Sequence, residues 1–199
     1  MKWNWRIRPS EIAFDIDGVV ADPMAVFVEL ARERCGLRNL SREDLTCYDL
    51  SKCLPLDPRS IDELISITLD DEHTMKMPPV PGASEVLTEL SRFGPLRFVT
   101  ARIWPESIIR WLCTVLSGVP EEHIKVIATG DPALKLRVLQ ELNVRYFVED
   151  CAETCELLAR DGIRPLLFDQ PWNRNTTRFP RVRSWYELRD WITLRNNQA

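Results

Sequence analysis

The stretch FDIDGVVAD, residues 14–22, begins where the apolar run Ile12–Phe14 predicts a short buried strand. Side chains two apart point to the same side of a strand, so Asp15 and Asp17 share one side. At the C-terminal edge of a parallel sheet, this is where ligands bind in open α/β folds. Two adjacent carboxylates repel each other and favour a cation, and hard oxygen ligands suit Mg²⁺. Gly18 lets the chain turn sharply away from the strand.

Two other interpretations of this stretch compete with a catalytic site. An Asp-x-Asp-Gly sequence can open a calcium-binding loop, but Val19 stands at its fifth position and Val26 at its twelfth, where an oxygen ligand and a glutamate belong. The calcium loop is therefore excluded. An ordinary strand-to-turn junction with solvated aspartates stays open on this stretch alone.

Beyond this strand, short apolar runs alternate with helical patterns. Strands are predicted at 96–99, 124–127, 146–148 and 166–168, and helices at 83–93, 105–117, 132–143 and 151–161. Alternating strands and helices require parallel crossovers. The sequence therefore predicts an α/β fold: a Rossmann-like parallel sheet with helices on both faces.

The segment between the first two predicted strands is too long for a single crossover. It contains helical patterns at 23–35 and 58–69 and returns through the proline-rich stretch 77–82. We expect a small, mainly helical cap inserted at 21–79, with a catalytic core formed by 1–20 and 80–199. The alternative is two extra helices packed on the sheet.

Further polar side chains follow the other predicted strands or open the next helix. Thr100 ends the second strand, Lys135 lies near the start of the helix opened by Asp131-Pro132, and Glu149-Asp150 ends the strand at 146–148. Each of these residue types is common at such a position, but the whole set in this order is far less probable by chance than any one member. Because the carboxyl ends of parallel strands meet at one edge, we expect these side chains to converge near Asp15.

With these residues in this order, the sequence resembles the haloacid dehalogenase superfamily of phosphotransferases along essentially the whole chain. The four motifs of that superfamily are matched by Asp15 with Asp17, Thr100, Lys135 and Asp150. The resemblance implies a Rossmann-like sheet, a helical cap after the first motif and an aspartyl-phosphate intermediate. More narrowly, DIDGVVAD (15–22), PVPGA (79–83) and FDQPWNR (168–174) are similar to the 5'(3')-deoxyribonucleotidase branch and its bacterial relatives.

The resemblance also implies catalytic and metal-binding roles. Asp15 would attack phosphorus and form a covalent acyl phosphate. Asp17 would protonate the leaving oxygen and later deprotonate the attacking water. Mg²⁺ would bind Asp15, the backbone carbonyl of Asp17, and Asp150, masking charge that repels the nucleophile. An acid at Asp17 indicates a phosphomonoesterase or phosphomutase, because dehalogenases and phosphonatases lack it.

Thr100, the N–H of Ala101 and Lys135 would hold the phosphoryl group, with Lys135 supplying fixed positive charge. Two positions depart from the family pattern. Glu149 replaces a common aspartate and is expected to act outside the metal's direct ligands. Arg102 differs from the residue usual in animal deoxyribonucleotidases and is either a grip for a second anionic group or a surface arginine.

We therefore expect a Mg²⁺-dependent phosphomonoester hydrolase acting on (deoxy)nucleoside monophosphates. The alternatives are a phosphatase for another small metabolite, such as a sugar phosphate, and a catalytically silent relative that binds a ligand. Specificity is expected to come from the cap, where candidates to face a base or sugar are Phe27, Tyr48, His73, Met75 and Met77. Core packing is the simpler interpretation for Phe27 and the methionines, and solvation for His73.

Composition limits the partners. Lys plus Arg number 26 against 30 Asp plus Glu, a net charge of −4, which disfavours a general nucleic-acid binder. Four arginines between 174 and 183 are interpreted as a solvated loop. No uncharged run is long enough to span a bilayer, and the N-terminus lacks a secretory pattern. The six cysteines are expected to be reduced thiols of a cytoplasmic protein, a monomer or homodimer, with Trp3 and Trp5 docking on the domain or a second subunit.

Overall fold

The computed structural model describes residues 6–194 and contains, in that range, one six-stranded sheet in the order β3-β2-β1-β4-β5-β6. All neighbouring strands pair in parallel. The strands are β1 (Ile12–Phe14), β2 (Leu96–Thr100), β3 (Ile124–Ala128), β4 (Tyr146–Glu149), β5 (Arg164–Phe168) and β6 (Arg181–Val182). Trp3 and Trp5 lie outside the described residues.

The helices connect these strands and cover the sheet. They are α1 (Pro23–Arg34), α2 (Pro58–Thr68), α3 (Asp71–Thr74), α4 (Ala83–Leu90), α5 (Glu106–Val115), α6 (Lys135–Glu141), α7 (Ala152–Arg160) and α8 (Trp185–Trp191). Short 3₁₀ turns extend α4 to Phe93 and precede α6 from Pro132. The predicted helices are therefore present, with ends displaced by a few residues.

Apolar side chains alternate between the two faces of the sheet, as the period of a strand requires. Ala13 and Phe147 point to one face, where Leu139 of α6 and Leu158 of α7 complete a small cluster. Phe14 points to the larger cluster on the other face, which contains side chains of α4, α5 and α8. The predicted α/β sheet with helices on both faces is confirmed.

The last strand and helix were not predicted from the sequence. β6 has only two residues and lies at the edge of the sheet beside β5. The side chain of Ser184 accepts the backbone N–H of Glu187 and caps α8. This Ser-x-x-Glu spacing is the sequence signal that could have located the helix start.

The long connection between β1 and α4 is mainly helical, as expected, and contains α1, α2 and α3. Its two ends pair with each other: the N–H of Asp22 donates to the Pro78 carbonyl at 2.9 Å, and the N–H of Val80 to the Val20 carbonyl at 2.8 Å. The buried side chains of the connection are continuous with the cluster on the sheet. The two ends of the connection therefore form one hydrogen-bonded neck, while its helices also pack against the core.

All six cysteines are free thiols. Within residues 6–194, no helix combines the length and the apolar character needed to cross a membrane.

Candidate active site

A cavity of about 300 Å³ opens at the carboxyl ends of β1, β2 and β4. It is lined by all the residues that the sequence singled out for chemistry, namely Asp15, Asp17, Thr100, Ala101, Lys135 and Asp150. The strand order brings them together, because β1 lies between β2 and β4 and each residue follows its strand or opens the next helix. The expected convergence is therefore present.

Lys135 joins two of the strands through buried ion pairs. Its Nζ lies 2.9 Å from Oδ2 of Asp15 and 2.9 Å from Oε2 of Glu149. Burial opposes the positive charge, but the carboxylates of Asp15 and Glu149 outweigh it and raise the pKa of Lys135. The ammonium is therefore a fixed charge beside Asp15. The other oxygen of Asp15, Oδ1, accepts the Ile16 N–H at 2.8 Å.

Glu149 anchors Lys135 from the end of β4. While Oε2 accepts the lysine, Oε1 accepts the backbone N–H groups of Asp150 and Cys151, both at 3.1 Å. Burial acts in the opposite direction, but Lys135 and these N–H donors together lower the pKa of Glu149. Both of its oxygens are engaged, consistent with a supporting task for this residue.

The carboxylates of Asp15, Glu149 and Asp150 offer oxygens within 4.8 Å of one another. Within residues 6–194, the one cation paired with this cluster is Lys135, so negative charge predominates. Burial and the Glu149 charge raise the pKa of Asp15 well above its usual range, and burial with the charges of Glu149 and Asp15 does the same for Asp150. A buried, oxygen-rich and net negative cluster fits a hard divalent cation.

The carboxylate of Asp17 does not belong to that cluster. Nε of Arg102 donates a hydrogen bond to Oδ2 of Asp17 at 2.9 Å, and Nη2 of Arg102 donates to Oδ1 at 2.8 Å. Arg102 is only 8% exposed, which excludes the surface-arginine interpretation. It also donates to Oγ1 of Thr74 at 2.7 Å and contacts the sulfur of Met77 at 3.5 Å. Arg102 thus joins the long connection to the end of β1.

The remaining phosphate-site candidates lie beside this pair. Thr100 is 1% exposed, and its hydroxyl accepts the backbone N–H of Arg102 at 3.2 Å. Ala101 contributes to the cavity wall between them.

Gly18 is required by both conformation and space. Its φ is +77°, and a Cβ there would overlap the carboxylate of Asp150. The turn after Asp17 can therefore pass close to the acidic cluster only with glycine.

The loop after β5 supports the acidic cluster, and sequence reasoning missed its contacts. Nε1 of Trp172 donates to Oδ2 of Asp150 at 3.0 Å, and Nδ2 of Asn173 donates to the Asp150 carbonyl at 2.8 Å. Nε2 of Gln170 donates to the carbonyl of Gly18. These residues belong to FDQPWNR, and their place directly after the strand beside β4 was the available signal.

Much of the cavity lining is apolar. The apolar side chains come largely from the long connection and include Pro23, Met24, Tyr48, Leu50, Ile65, Leu69, Pro132 and Trp172. Tyr48 is more than half exposed as a residue, while burial of its hydroxyl and the Asp150 charge raise its pKa. The polar groups and the apolar lining together suit an amphipathic ligand.

The other specificity candidates lie elsewhere. Phe27 and Met77 are buried in the apolar cluster, which confirms core packing for them, whereas Met75 is 41% exposed. His73 is not simply solvated, since its Nδ1 lies 2.9 Å from Oδ1 of Asp70. Of the five candidates, Tyr48 lines the cavity.

The arginines between 174 and 183 are engaged within the chain. Arg174 pairs with Glu43 and Asp169, Arg178 with Glu156, Arg181 with Asp169 and Arg183 with Glu187. This pairing reduces the charge available for a nucleic-acid backbone.

Comparison with known proteins agrees with this site. Residues 8–199 match the family described as "5' nucleotidase, deoxy (Pyrimidine), cytosolic type C protein". The chain belongs to this family. It is 26% identical to a nucleotidase of Clostridium acetobutylicum over 176 residues, which cover 84% of this chain and 87% of that protein. It is also 25% identical to a 5'(3')-deoxyribonucleotidase of Bacillus subtilis over 181 residues, covering 89% and 95%.

Solved structures show the same fold at low identity. A haloacid dehalogenase-like hydrolase of Streptococcus pneumoniae superimposes with a TM-score of 0.62 at 13% identity, covering 89% of this chain and 95% of that one. Protein tyrosine kinase A of Mycobacterium tuberculosis gives 0.64 at 18% identity, covering 92% and 97%. These structures confirm the haloacid dehalogenase-like fold, and the family match over residues 8–199 makes the chain a nucleotidase-type phosphatase.

Proposed function

We propose that this phosphatase hydrolyses nucleoside monophosphates with the help of Mg²⁺, through an acyl phosphate on Asp15. The observation that carries the proposal is the position of the Asp15 carboxylate. It faces the cavity, is held at 2.9 Å by Lys135 and shares an acidic cluster with Asp150. A nucleophile, a fixed cation and a metal-binding cluster within one cavity are what phosphoryl transfer requires.

The reaction has two steps. An oxygen of Asp15 attacks phosphorus, the bond from phosphorus to the ester oxygen breaks, and Asp17 gives a proton to the leaving oxygen. Water then attacks the same phosphorus, Asp17 takes its proton, and inorganic phosphate leaves with Asp15 restored. In the described state both oxygens of Asp17 accept from Arg102, so the acid task requires one of these bonds to be released when substrate binds.

The cation would be held by the carboxylates of Asp15 and Asp150 with the backbone carbonyl of Asp17. When bound, it supplies charge that offsets the repulsion between the carboxylates and the phosphate. Thr100, the N–H of Ala101 and Lys135 bind the phosphoryl oxygens from the other side. Glu149 orients Lys135 through their 2.9 Å contact.

The apolar lining of the cavity favours a nucleoside over a sugar as the leaving group. A sugar phosphate presents several hydroxyls that need polar partners. The apolar lining, by contrast, consists mainly of Met24, Leu50, Ile65, Leu69 and Tyr48. A base offers a flat apolar surface to such a wall. The 5'(3')-deoxyribonucleotidase of Bacillus subtilis, a relative at 25% identity, also supports this choice.

A panel of phosphate monoesters with Mg²⁺ tests the proposal. We expect kcat/KM for nucleoside monophosphates to exceed that for sugar phosphates by tenfold or more. Asp15→Asn keeps the shape but removes the nucleophile, so its turnover should fall to background for every ester. Asp15→Asn with more than a few per cent of wild-type activity would refute the covalent mechanism. An inactive wild-type protein that still binds nucleotides would favour the silent relative.

We further propose that residues 21–79 act as a cap over the core formed by 1–20 and 80–199. The long connection supplies most of the apolar lining of the cavity, and its two ends meet in the hydrogen-bonded neck at Asp22–Pro78. A cover on a narrow neck can open for substrate and exclude water when closed.

Tyr48→Ala tests whether this segment sets specificity. Removing the ring takes apolar contact from the leaving group but leaves the phosphate site intact. We expect the kcat/KM ratio between a nucleotide and a sugar phosphate to fall about threefold to tenfold, in the range of a lost apolar contact. Phe27→Leu, in the buried core, is the matched control and should change kcat/KM for both substrates by the same factor. If Tyr48→Ala changed kcat/KM for both substrates by the same factor, specificity would lie in the core instead.

A further inference from the structure

Asp150 is held on two sides by neighbouring residues of one loop. Nε1 of Trp172 donates to its Oδ2 at 3.0 Å, and Nδ2 of Asn173 donates to its backbone carbonyl at 2.8 Å. Asn173 also donates to the Phe168 carbonyl at 2.8 Å, which ties the loop to the end of β5. Both the backbone and the carboxylate of Asp150 are therefore fixed from the same loop.

The indole is chemically suited to orient a metal ligand. An indole N–H is a donor only and carries no formal charge. It can fix one carboxylate oxygen without cancelling the charge that attracts a cation, whereas Arg or Lys in that place would compete with the metal. Trp172 engages one lone pair of the Asp150 carboxylate, so the carboxylate keeps acceptor capacity for an ion.

Trp172 is itself held from the cap side. The guanidinium carbon of Arg42 lies 5.4 Å from the centre of the Trp172 ring. Arg42 is fixed by Asp22 at 2.8 Å and by Oε1 of Gln170 at 2.6 Å. The ring therefore lies between a positioned arginine and the acidic cluster, with two independent restraints on its orientation.

We propose that Trp172 is a positioning residue for the divalent-cation site and that its indole N–H presents the Asp150 carboxylate to the ion in one orientation. This inference rests on the proposed function, since it takes Asp150 as a metal ligand. It assigns to FDQPWNR a task beyond lining the cavity: this loop sets the affinity for the cation.

The test is a calorimetric titration of metal-free protein with MgCl₂, without substrate. Trp172→Phe keeps a ring beneath Arg42 but removes the N–H donor, and we expect Mg²⁺ binding weaker by about 10-fold to 100-fold, the range for residues that support metal ligands. Trp104→Phe is the matched control, because Trp104 is 74% exposed, and it should bind Mg²⁺ like wild type. Trp172→Leu, which also lacks a donor, is a second variant for the same titration if the phenylalanine form folds poorly, with the same expected loss of Mg²⁺ affinity.

A kinetic readout separates cation positioning from general damage. Saturating Mg²⁺ should restore most of the kcat of Trp172→Phe, whereas it should not restore Asp15→Asn. Wild-type protein that binds Mg²⁺ with Trp172→Phe binding equally well would overturn the inference and leave the proposed function standing. Wild-type protein without measurable Mg²⁺ binding, and with phosphatase activity that persists in EDTA, would overturn both.

Discussion

Asp17 and Asp150 face the same cavity from the ends of two adjacent strands, yet different chemistry holds each of them. Both oxygens of Asp17 accept from the guanidinium of Arg102, at 2.9 and 2.8 Å. One oxygen of Asp150 accepts from the uncharged indole of Trp172 at 3.0 Å. One carboxylate is therefore paired with a cation within the chain, and the other is oriented by an uncharged donor.

The difference indicates how the site divides its work. A carboxylate beside a cation is stable in the absence of ligand, and Arg102 also joins it to Thr74 of the long connection. A carboxylate among other carboxylates is costly until a cation arrives, which agrees with the raised pKa that burial and the charges of Glu149 and Asp15 give Asp150. The two positions should therefore respond in opposite directions when their charge is removed.

Asp17→Asn should produce the larger change. The side chain of Arg102 is 6% exposed, and an amide replaces one of its two accepting oxygens with a donor. Losing one partner of a buried ion pair costs about 3–5 kcal/mol, and we expect the lower end because the Asp17 side chain is 26% exposed. Urea unfolding of metal-free protein measures the change.

The double variant Asp17→Asn with Arg102→Met is the matched control. Because Arg102→Met removes the buried cation, the asparagine should lower the free energy of unfolding by about 1 kcal/mol or less in that background. This is within the range of an ordinary hydrogen bond. If Asp17→Asn unfolded at the wild-type urea concentration, the ion pair would not be holding the Asp17 carboxylate.

The sequence predicts the central part of this fold because the central strands are continuous apolar runs. β1 and β4 are buried and carry no charge before their last residues, so their pattern is plain. β6 was missed because two residues at a sheet edge, one of them Arg181, carry no periodicity. The site residues were found because parallel strands bring their carboxyl ends together, which makes position along the chain a guide to position in space.

The contacts that distinguish this site depend on pairs far apart in sequence. The sequence alone could not separate a buried Arg102 from a surface one, since its partners Asp17 and Thr74 lie on other segments. The same applies to Trp172, which meets Asp150 across two strand ends. These contacts follow from how loops pack, and no local propensity of either residue encodes them.

Asp150→Asn should have a smaller effect on metal-free protein than Asp17→Asn, and of the opposite sign. The amide oxygen can still accept the Trp172 N–H, while the variant no longer places a charge beside Asp15 and Glu149. We expect unfolding to become harder by about 0.5–2 kcal/mol, the gain common when a strained functional group is replaced. The measurement is urea unfolding in EDTA, with Glu149→Gln as the control. Glu149→Gln should be destabilised, because Lys135 then loses a charged partner.

Adding Mg²⁺ should reverse the order of wild type and Asp150→Asn. A ligand that binds only the folded state stabilises it by about 2.7 kcal/mol at a hundred times its dissociation constant. Wild type should gain this amount as Mg²⁺ is raised, whereas Asp150→Asn, lacking one carboxylate ligand, should gain little at the same concentration. If Asp150→Asn is more stable than wild type without Mg²⁺ and less stable with it, the Asp150 charge binds the ion and destabilises the metal-free protein. Equal gains for both proteins would remove Asp150 from the metal site and, with it, the contrast with Asp17.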